Sequence, residues 1–191
     1  TTNDALDIAL GLGERVTVAG LSMGGTMAAW AAQNRNDLDL AALIAPTFGI
    51  PAIPGPLRGP FTALMRNAPG FFTWKNPLVR EKWPGPKHAY PRMATRGLAH
   101  LMSVGLDVLH QASRSAPATR SMSVITNAAD RVVDNKETAR LVEQWRAHGA
   151  QVQKYEFDAA HHLPHDVIDL EQPEQNTALV EQSAAAAALL R

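Results

Sequence analysis

Hydrophobic positions first recur at helical spacing. Over residues 3–12, Leu6, Ile8, Ala9 and Leu10 gather on one side, and Gly11 and Gly13 stop the run. The period then changes. Residues 15–19, Arg-Val-Thr-Val-Ala, form a short β-branched stretch that reads as a buried strand. A glycine-rich turn follows, Gly20-Leu21-Ser22-Met23-Gly24-Gly25. Helical spacing returns over 26–34, with Met27, Ala28, Trp30 and Ala31 on its apolar face. Residues 38–45, bounded by Asp37 and Pro46, make a second apolar run, read as another buried strand. Strand, helix and strand at this spacing form a βαβ unit, which predicts a parallel sheet with a right-handed crossover.

The pattern breaks over residues 46–117. This stretch holds eleven of the thirteen prolines and four of the five phenylalanines. Pro51, Pro54, Pro56 and Pro60 are expected to forbid regular structure where they cluster. Helices are expected over 60–66 and 95–113, the second carrying Leu98, Leu101, Met102, Leu106 and Leu109 on one side. Between them lie Phe71, Phe72, Trp74 and Trp83. Short helices, loops and aromatics suit a lid over an apolar acyl pocket. A small satellite core would use the same composition. The division expected is a core of residues 1–45 and 118–191, with 46–117 as an inserted lid.

Periodicity resumes at 121–126, Ser-Met-Ser-Val-Ile-Thr, a strand ending near Asp130. Asp134-x-x-Glu137 reads as a capping box opening a helix through Leu141, Val142 and Trp145 to His148, with Gly149 as its stop. Residues 151–157 alternate as a strand, and alanine favours a last helix over 173–190. The expected fold class is therefore α/β, a mostly parallel sheet with flanking helices and an inserted helical lid.

Composition narrows the chemistry. The 191 residues suffice for one domain, or a core plus a small insertion. With no cysteine, disulfides, thiolate nucleophiles and cysteine-ligated zinc are excluded. No apolar run approaches the roughly 20 residues of a membrane span. Residues 1–4 are neither an initiator methionine nor a signal peptide, so an upstream segment is expected. The compartment is not set by the sequence, with a cytoplasmic location favoured. Net charge is zero but uneven: residues 46–117 carry nine Lys/Arg against two acids, about +7, and the remainder balances it. That polarity suits a cap docking on its core, or contact with an anionic lipid surface. Ordinary solvated charge is the plain alternative. There is no internal repeat and no nucleic-acid motif.

Between a strand and a helix, Gly-x-Ser-x-Gly reads as a nucleophile elbow. Gly20 and Gly24 are expected to leave room for a very tight turn. Ser22 would be strained, its hydroxyl thrust out of the sheet, with the Met23 N–H at the helix start facing a developing oxyanion. A serine nucleophile needs a base, and the base needs an acid to orient it. Asp130, just after a strand, is preferred to Asp134, which is better explained as a helix cap. Asp130 could equally be a turn residue. Among the clustered histidines, His162 is favoured as base, His165 follows closely and His161 is third. His161 and His165 are spaced for a metal on a helix, but Pro164 breaks that helix and no third ligand is evident. No metal and no cofactor are expected.

The elbow, Ile44-Ala45-Pro46, the Asp130-x-Val132-Val133 turn and the His-Leu-Pro-His-Asp segment resemble the α/β-hydrolase superfamily. Within it they look like carboxylesterases and monoacylglycerol lipases with a lid after the strand that follows the nucleophile helix. The resemblance implies Ser22 as nucleophile, Asp130 as acid, a C-terminal histidine as base and Met23 as one oxyanion donor. Some relatives carry His-x-Pro-His with its first histidine catalytic, which favours His162; others match only His165. The family normally has several strands before the nucleophile strand, one followed by the loop with the second oxyanion donor. No such loop precedes Val16 here, and a half-built oxyanion hole costs on the order of 10²–10³ in rate. A longer chain, or completion by a partner, is expected, and the sheet edge left by the missing strands invites pairing.

Three functions stay open at this point. The first is a serine hydrolase of carboxylic esters with apolar acyl or monoglyceride-like substrates. The second is a catalytically impaired core that binds a hydrophobic ligand or partner. The third keeps the triad but transfers the acyl group, perhydrolyses or cleaves C–C bonds. The partner expected is a small-molecule ester, with lipid-surface contact through the basic lid; oligomeric state is not legible.

Overall fold

The computed structural model describes residues 1–82, 85–172, 176, 178, 179 and 181. Trp83 and almost all of the helix expected over 173–190 lie outside them. Four parallel strands make the main sheet: β1 (Thr17–Leu21), β2 (Leu40–Ile44), a strand at Met122–Asn127 and a strand at Val152–Phe157, side by side in chain order. Helix α1 (Thr2–Leu12) precedes β1, and helix α2 (Met23–Asn34) crosses from β1 to β2. Registers run from Thr17↔Leu40 to Leu21↔Ile44, then Ala41↔Met122 to Ile44↔Ile125. The first strand lies two residues later than its sequence pattern suggests, because it extends to the elbow itself.

Two apolar clusters cover the sheet. One gathers Leu43, Val124, Val108, Leu141 and Trp145 with the alanines of α2. The other places Ile44, Ile125, Phe157, Leu163 and Val167 together. Leu43 and Ile44 are consecutive, as are Val124 and Ile125, so the strands alternate between the two faces. The two inner strands are the continuous apolar runs that a sheet covered on both sides requires, whereas β1, read as a buried strand, lies at the edge of the sheet with no residue fully buried.

Between β2 and the third sheet strand stand helix α3 (Gly55–Asn67), a two-stranded antiparallel ribbon of β3 (Phe72–Trp74) and β4 (Arg92–Ala94), and helix α4 (Thr95–Ala112). The ribbon carries no signal in the sequence, and Arg92 binds it by lying 5.2 Å from the Trp74 ring centroid. The main strands that follow are β5 (Met122–Asn127) and β6 (Val152–Phe157), joined by helix α5 (Asn135–Ala147). Val108, Leu109 and Ala112 of α4 sit in the main core, so that helix serves core and insertion alike.

Regular structure does form in the proline cluster, contrary to expectation. Pro54 caps α3 and Pro56 lies in its first turn, where an N–H would have no intrahelical acceptor; only Pro60 costs a helical hydrogen bond. Helix α3 is also inside out. Arg58 and Thr62 are buried, whereas Leu57 and Leu64 are exposed. Arg58 explains this. Its guanidinium reaches Asp134 at 2.5 Å and Glu137 at 2.7 Å, donates from Nε to the Ile53 carbonyl, and lies against Gly49, where a Cβ would stand 2.5 Å from Cζ. Asp134 caps α5 as expected, its side chain accepting from the Lys136 N–H. The capping box itself does not form: the Asp134 side chain accepts from Lys136 rather than from the Glu137 N–H, Glu137 turns to Arg58, and the Asp134 N–H donates to the Gly49 carbonyl at 3.0 Å.

Candidate active site

The loops that carry polar chemistry all leave C-terminal ends of parallel strands, where an open α/β sheet forms its crevice. β1 delivers Ser22, β2 delivers Thr47, β5 delivers Asp130 and β6 delivers the histidine segment.

Ser22 stands at φ 55°, ψ −113°, a backbone region that non-glycine residues rarely adopt. Strain of this kind costs about 1–3 kcal/mol and persists where surrounding contacts enforce it. Here the Ser22 N–H donates to the Ile44 carbonyl at 2.8 Å, and the Ser22 carbonyl accepts from the N–H groups of Thr26 and Thr47, each at 3.2 Å. Gly20 is required: a Cβ there would lie 2.1 Å from the Gly24 oxygen. Gly24 is not, since its Cβ would enter open space. The second tight position is Gly25, whose Cβ would press to 2.9 Å on Pro46. The motif's crowding therefore falls one residue later than its regular expression suggests, because the helix must pass close to the end of β2.

From this elbow a relay runs through His165. Ser22 Oγ lies 2.8 Å from His165 Nε2, and His165 Nδ1 lies 2.6 Å from Asp130 Oδ2. The Asp130 side chain is fully buried, and that of His165 is 18% exposed. Asp130 Oδ1 accepts from the N–H groups of Val132 at 2.8 Å and Val133 at 3.3 Å. One Asp130 oxygen therefore closes the turn while the other faces the imidazole.

His162 does not join this arrangement. It closes a short 3₁₀ turn, Ala159–His161, with φ 49°, and its side chain is exposed, as is that of His161. The chain needs Leu163 buried, in the cluster with Ile125 and Phe157, before it can turn inward. His165, two residues beyond that anchor, faces Ser22. Asn127 fixes the same segment: its fully buried side-chain amide donates to the carbonyls of Leu163 at 2.9 Å and Pro164 at 3.1 Å, and its oxygen accepts from the Ala129 N–H. One side chain therefore ties the His165 loop to the Asp130 loop. Its signal in the sequence is only its place, the last residue of a strand three before the acid.

Met23 begins α2, so its N–H has no acceptor within the helix, and its side chain is exposed. Thr47 was not singled out by its sequence, yet its hydroxyl lies 3.1 Å from Ser22 Oγ. Away from these groups, Glu156 on β6 is held below the ordinary carboxylate range, chiefly by the hydroxyl of Thr126 at 2.7 Å and then by Lys154. Among the described residues no group of three His, Asp or Glu side chains is placed to hold a metal ion.

Similar structures share this architecture. A monoacylglycerol lipase of Paleococcus ferrophilus matches with a TM-score of 0.69 at 16% identity, over 99% of this chain and 73% of the other. A soluble variant of the monoglyceride lipase of Saccharomyces cerevisiae matches at 0.67 and 11% identity, over 98% and 69%. The metagenome-derived lipolytic enzymes LipS and LipT give 0.59 and 17%, over 98% and 72%. At these identities the likeness concerns the fold. No curated protein matches. The sequence profile described as the Alpha/beta hydrolase family matches residues 1–178, a span holding the elbow, Asp130 and His165, and the chain belongs to that family.

Proposed function

We propose that this chain is a serine hydrolase of carboxylic esters, with Ser22 as nucleophile, His165 as base and Asp130 as the acid that orients it. The observation that carries the reading is the unbroken hydrogen-bonded relay from Asp130 through His165 to Ser22. In the first half-reaction Ser22 Oγ attacks the ester carbonyl while His165 Nε2 takes its proton. The tetrahedral intermediate's oxyanion meets the Met23 N–H. The intermediate collapses as His165 returns the proton to the departing alcohol, leaving an acyl-serine. Water, deprotonated by His165, then releases the acid and restores the Ser22 hydroxyl. Asp130 stays ionised and holds the imidazole's orientation throughout.

Apolar acyl or monoglyceride-like esters are the substrates we assign. The lipases and lipolytic enzymes among the similar structures support that class, and we propose that residues 46–117 act as the lid over the acyl group. Exposed Leu57, Leu64, Phe71 and Phe72 on this cationic stretch also suit contact with an anionic lipid surface. Among the described residues no helix is long and apolar enough to cross a membrane.

The test compares turnover of p-nitrophenyl acetate and butyrate by the wild-type chain and Ser22→Ala. Saturable turnover lost in the variant, with a phosphonate ester probe covalently attached to Ser22, supports the reading. Turnover equal in both proteins sinks it and favours a core that binds without catalysing. Sedimentation with and without phosphatidylglycerol vesicles checks the lipid contact separately.

A further inference from the structure

We propose that Thr47 is a further catalytic residue, donating a hydrogen bond from its side-chain hydroxyl to the nucleophilic oxygen of Ser22. The inference rests on the assignment of Ser22 as nucleophile and follows from counting protons along the relay. Asp130, as a carboxylate, can only accept, and its Oδ1 already accepts two backbone N–H groups. His165 Nδ1, 2.6 Å from Oδ2, therefore carries the proton of that bond. A neutral imidazole protonated at Nδ1 offers a lone pair at Nε2. The Ser22 hydroxyl, 2.8 Å away, donates to it. Ser22 has only that one proton. The remaining contact, Thr47 Oγ1 to Ser22 Oγ at 3.1 Å, must therefore run from Thr47 to Ser22.

Thr47 is fixed in place for this. It is buried, its N–H donates to the Ser22 carbonyl at 3.2 Å, and its own carbonyl accepts from the Thr26 hydroxyl at 2.8 Å. Pro46 before it packs on Gly25 of the elbow. The hydroxyl is thus set by contacts to both sides of the turn that strains Ser22, and needs no rearrangement when charge appears.

The consequence lies on the nucleophile rather than on the carbonyl oxygen. When Ser22 loses its proton to His165, the oxygen gains negative charge as it bonds to the acyl carbon. A neutral hydrogen bond from Thr47 then becomes charge-assisted, roughly doubling in strength. In deacylation the same oxygen leaves as the C–O bond breaks, and Thr47 again donates to it until His165 returns the proton. Both half-reactions gain, and substrate binding does not.

The experiment compares wild type, Thr47→Val and Thr47→Ser. Valine keeps the shape and the backbone bonds and removes only the hydroxyl; serine keeps the hydroxyl. We expect Thr47→Val to lower kcat about tenfold, with KM and melting temperature close to wild type, and to slow phosphonylation of Ser22 by a similar factor. Thr47→Ser should restore most of both. Valine and wild type labelling Ser22 at equal rates would overturn the proposal, as would a loss in Thr47→Val that serine fails to rescue. Absence of ester turnover in wild type would defeat the proposed function alone, because the labelling rates of the three proteins still decide the role of Thr47.

Discussion

Replacing Asn127 by alanine should damage the site more than it damages the fold. Three hydrogen bonds disappear: two from the amide to the carbonyls of Leu163 and Pro164, and one from the Ala129 N–H to the amide oxygen. At about 1 kcal/mol net each, the loss is about 3 kcal/mol. For a domain of this size, 1 kcal/mol moves the melting temperature by about 2–4 °C, so a fall of about 6–12 °C is expected. The effect on rate is larger, because the released segment carries His165 and the other end of the network carries Asp130. Misplacement of a reacting group by about 1 Å costs on the order of 10²-fold. Leu141→Ala is the matched control. It empties a fully buried core site on α5, at a cost of about 2–5 kcal/mol, without touching either loop. Both variants are melted by circular dichroism and assayed with p-nitrophenyl butyrate well below their transitions. Asn127→Ala should lose about 10²-fold in kcat/KM, whereas Leu141→Ala should stay within a few-fold of wild type. Equal activities in the two variants would refute the argument that Asn127 acts by placing the relay.

Other substitutions probe the elbow, the insertion and the sheet. Gly20→Ala drives a Cβ to 2.1 Å from backbone, so its loss of stability should far exceed the ordinary cost of about 1 kcal/mol. Gly24→Ala enters open space in the first turn of α2 and should leave thermal stability unchanged or raise it by up to about 1 kcal/mol. Arg58→Ala removes the buried guanidinium that Asp134 and Glu137 share, leaving them the Lys136 N–H and Arg140, and should cost roughly 1–3 kcal/mol by urea unfolding, with faster proteolysis around α3. Unchanged proteolysis would mean that Arg58 does not hold α3 down. Glu156 is held below its ordinary value of 4.5, so its contribution to stability is present above that pH and is lost as pH falls through the lowered folded value. Thr126→Val removes the largest cause, so stability should fall less steeply on acidification below pH 4.5. An unchanged slope would contradict this linkage.

Local pattern made the sheet legible because β1, β2 and β5 are short, largely apolar runs, β6 alternates, and turn residues end them. The elbow was legible for the same reason: strand, Gly-x-Ser-x-Gly and helix are adjacent in the chain. What failed depended on contacts between distant segments. The choice between His162 and His165 turns on Leu163 entering a cluster built from β2, β5 and β6, which no local spacing encodes. Gly25 rather than Gly24 is the crowded glycine because Pro46, twenty-one residues on, packs against it. Helix α3 defied a reading based on its prolines because their positions in the first turn are harmless, and because its buried side is polar and held by α5. Thr47 and Asn127 escaped notice because a threonine after Pro46 and an asparagine at a strand end are unremarkable until three loops converge.

The central claim is that His165, and not its neighbour three residues earlier, activates Ser22. The rate at which a fluorophosphonate labels Ser22, read by mass spectrometry in wild type, His165→Ala and His162→Ala, tests it most directly. Removing the base should slow labelling by up to about 10⁶ in His165→Ala and leave His162→Ala within a few-fold of wild type. Rapid labelling in His165→Ala, or its collapse in His162→Ala, would contradict the account.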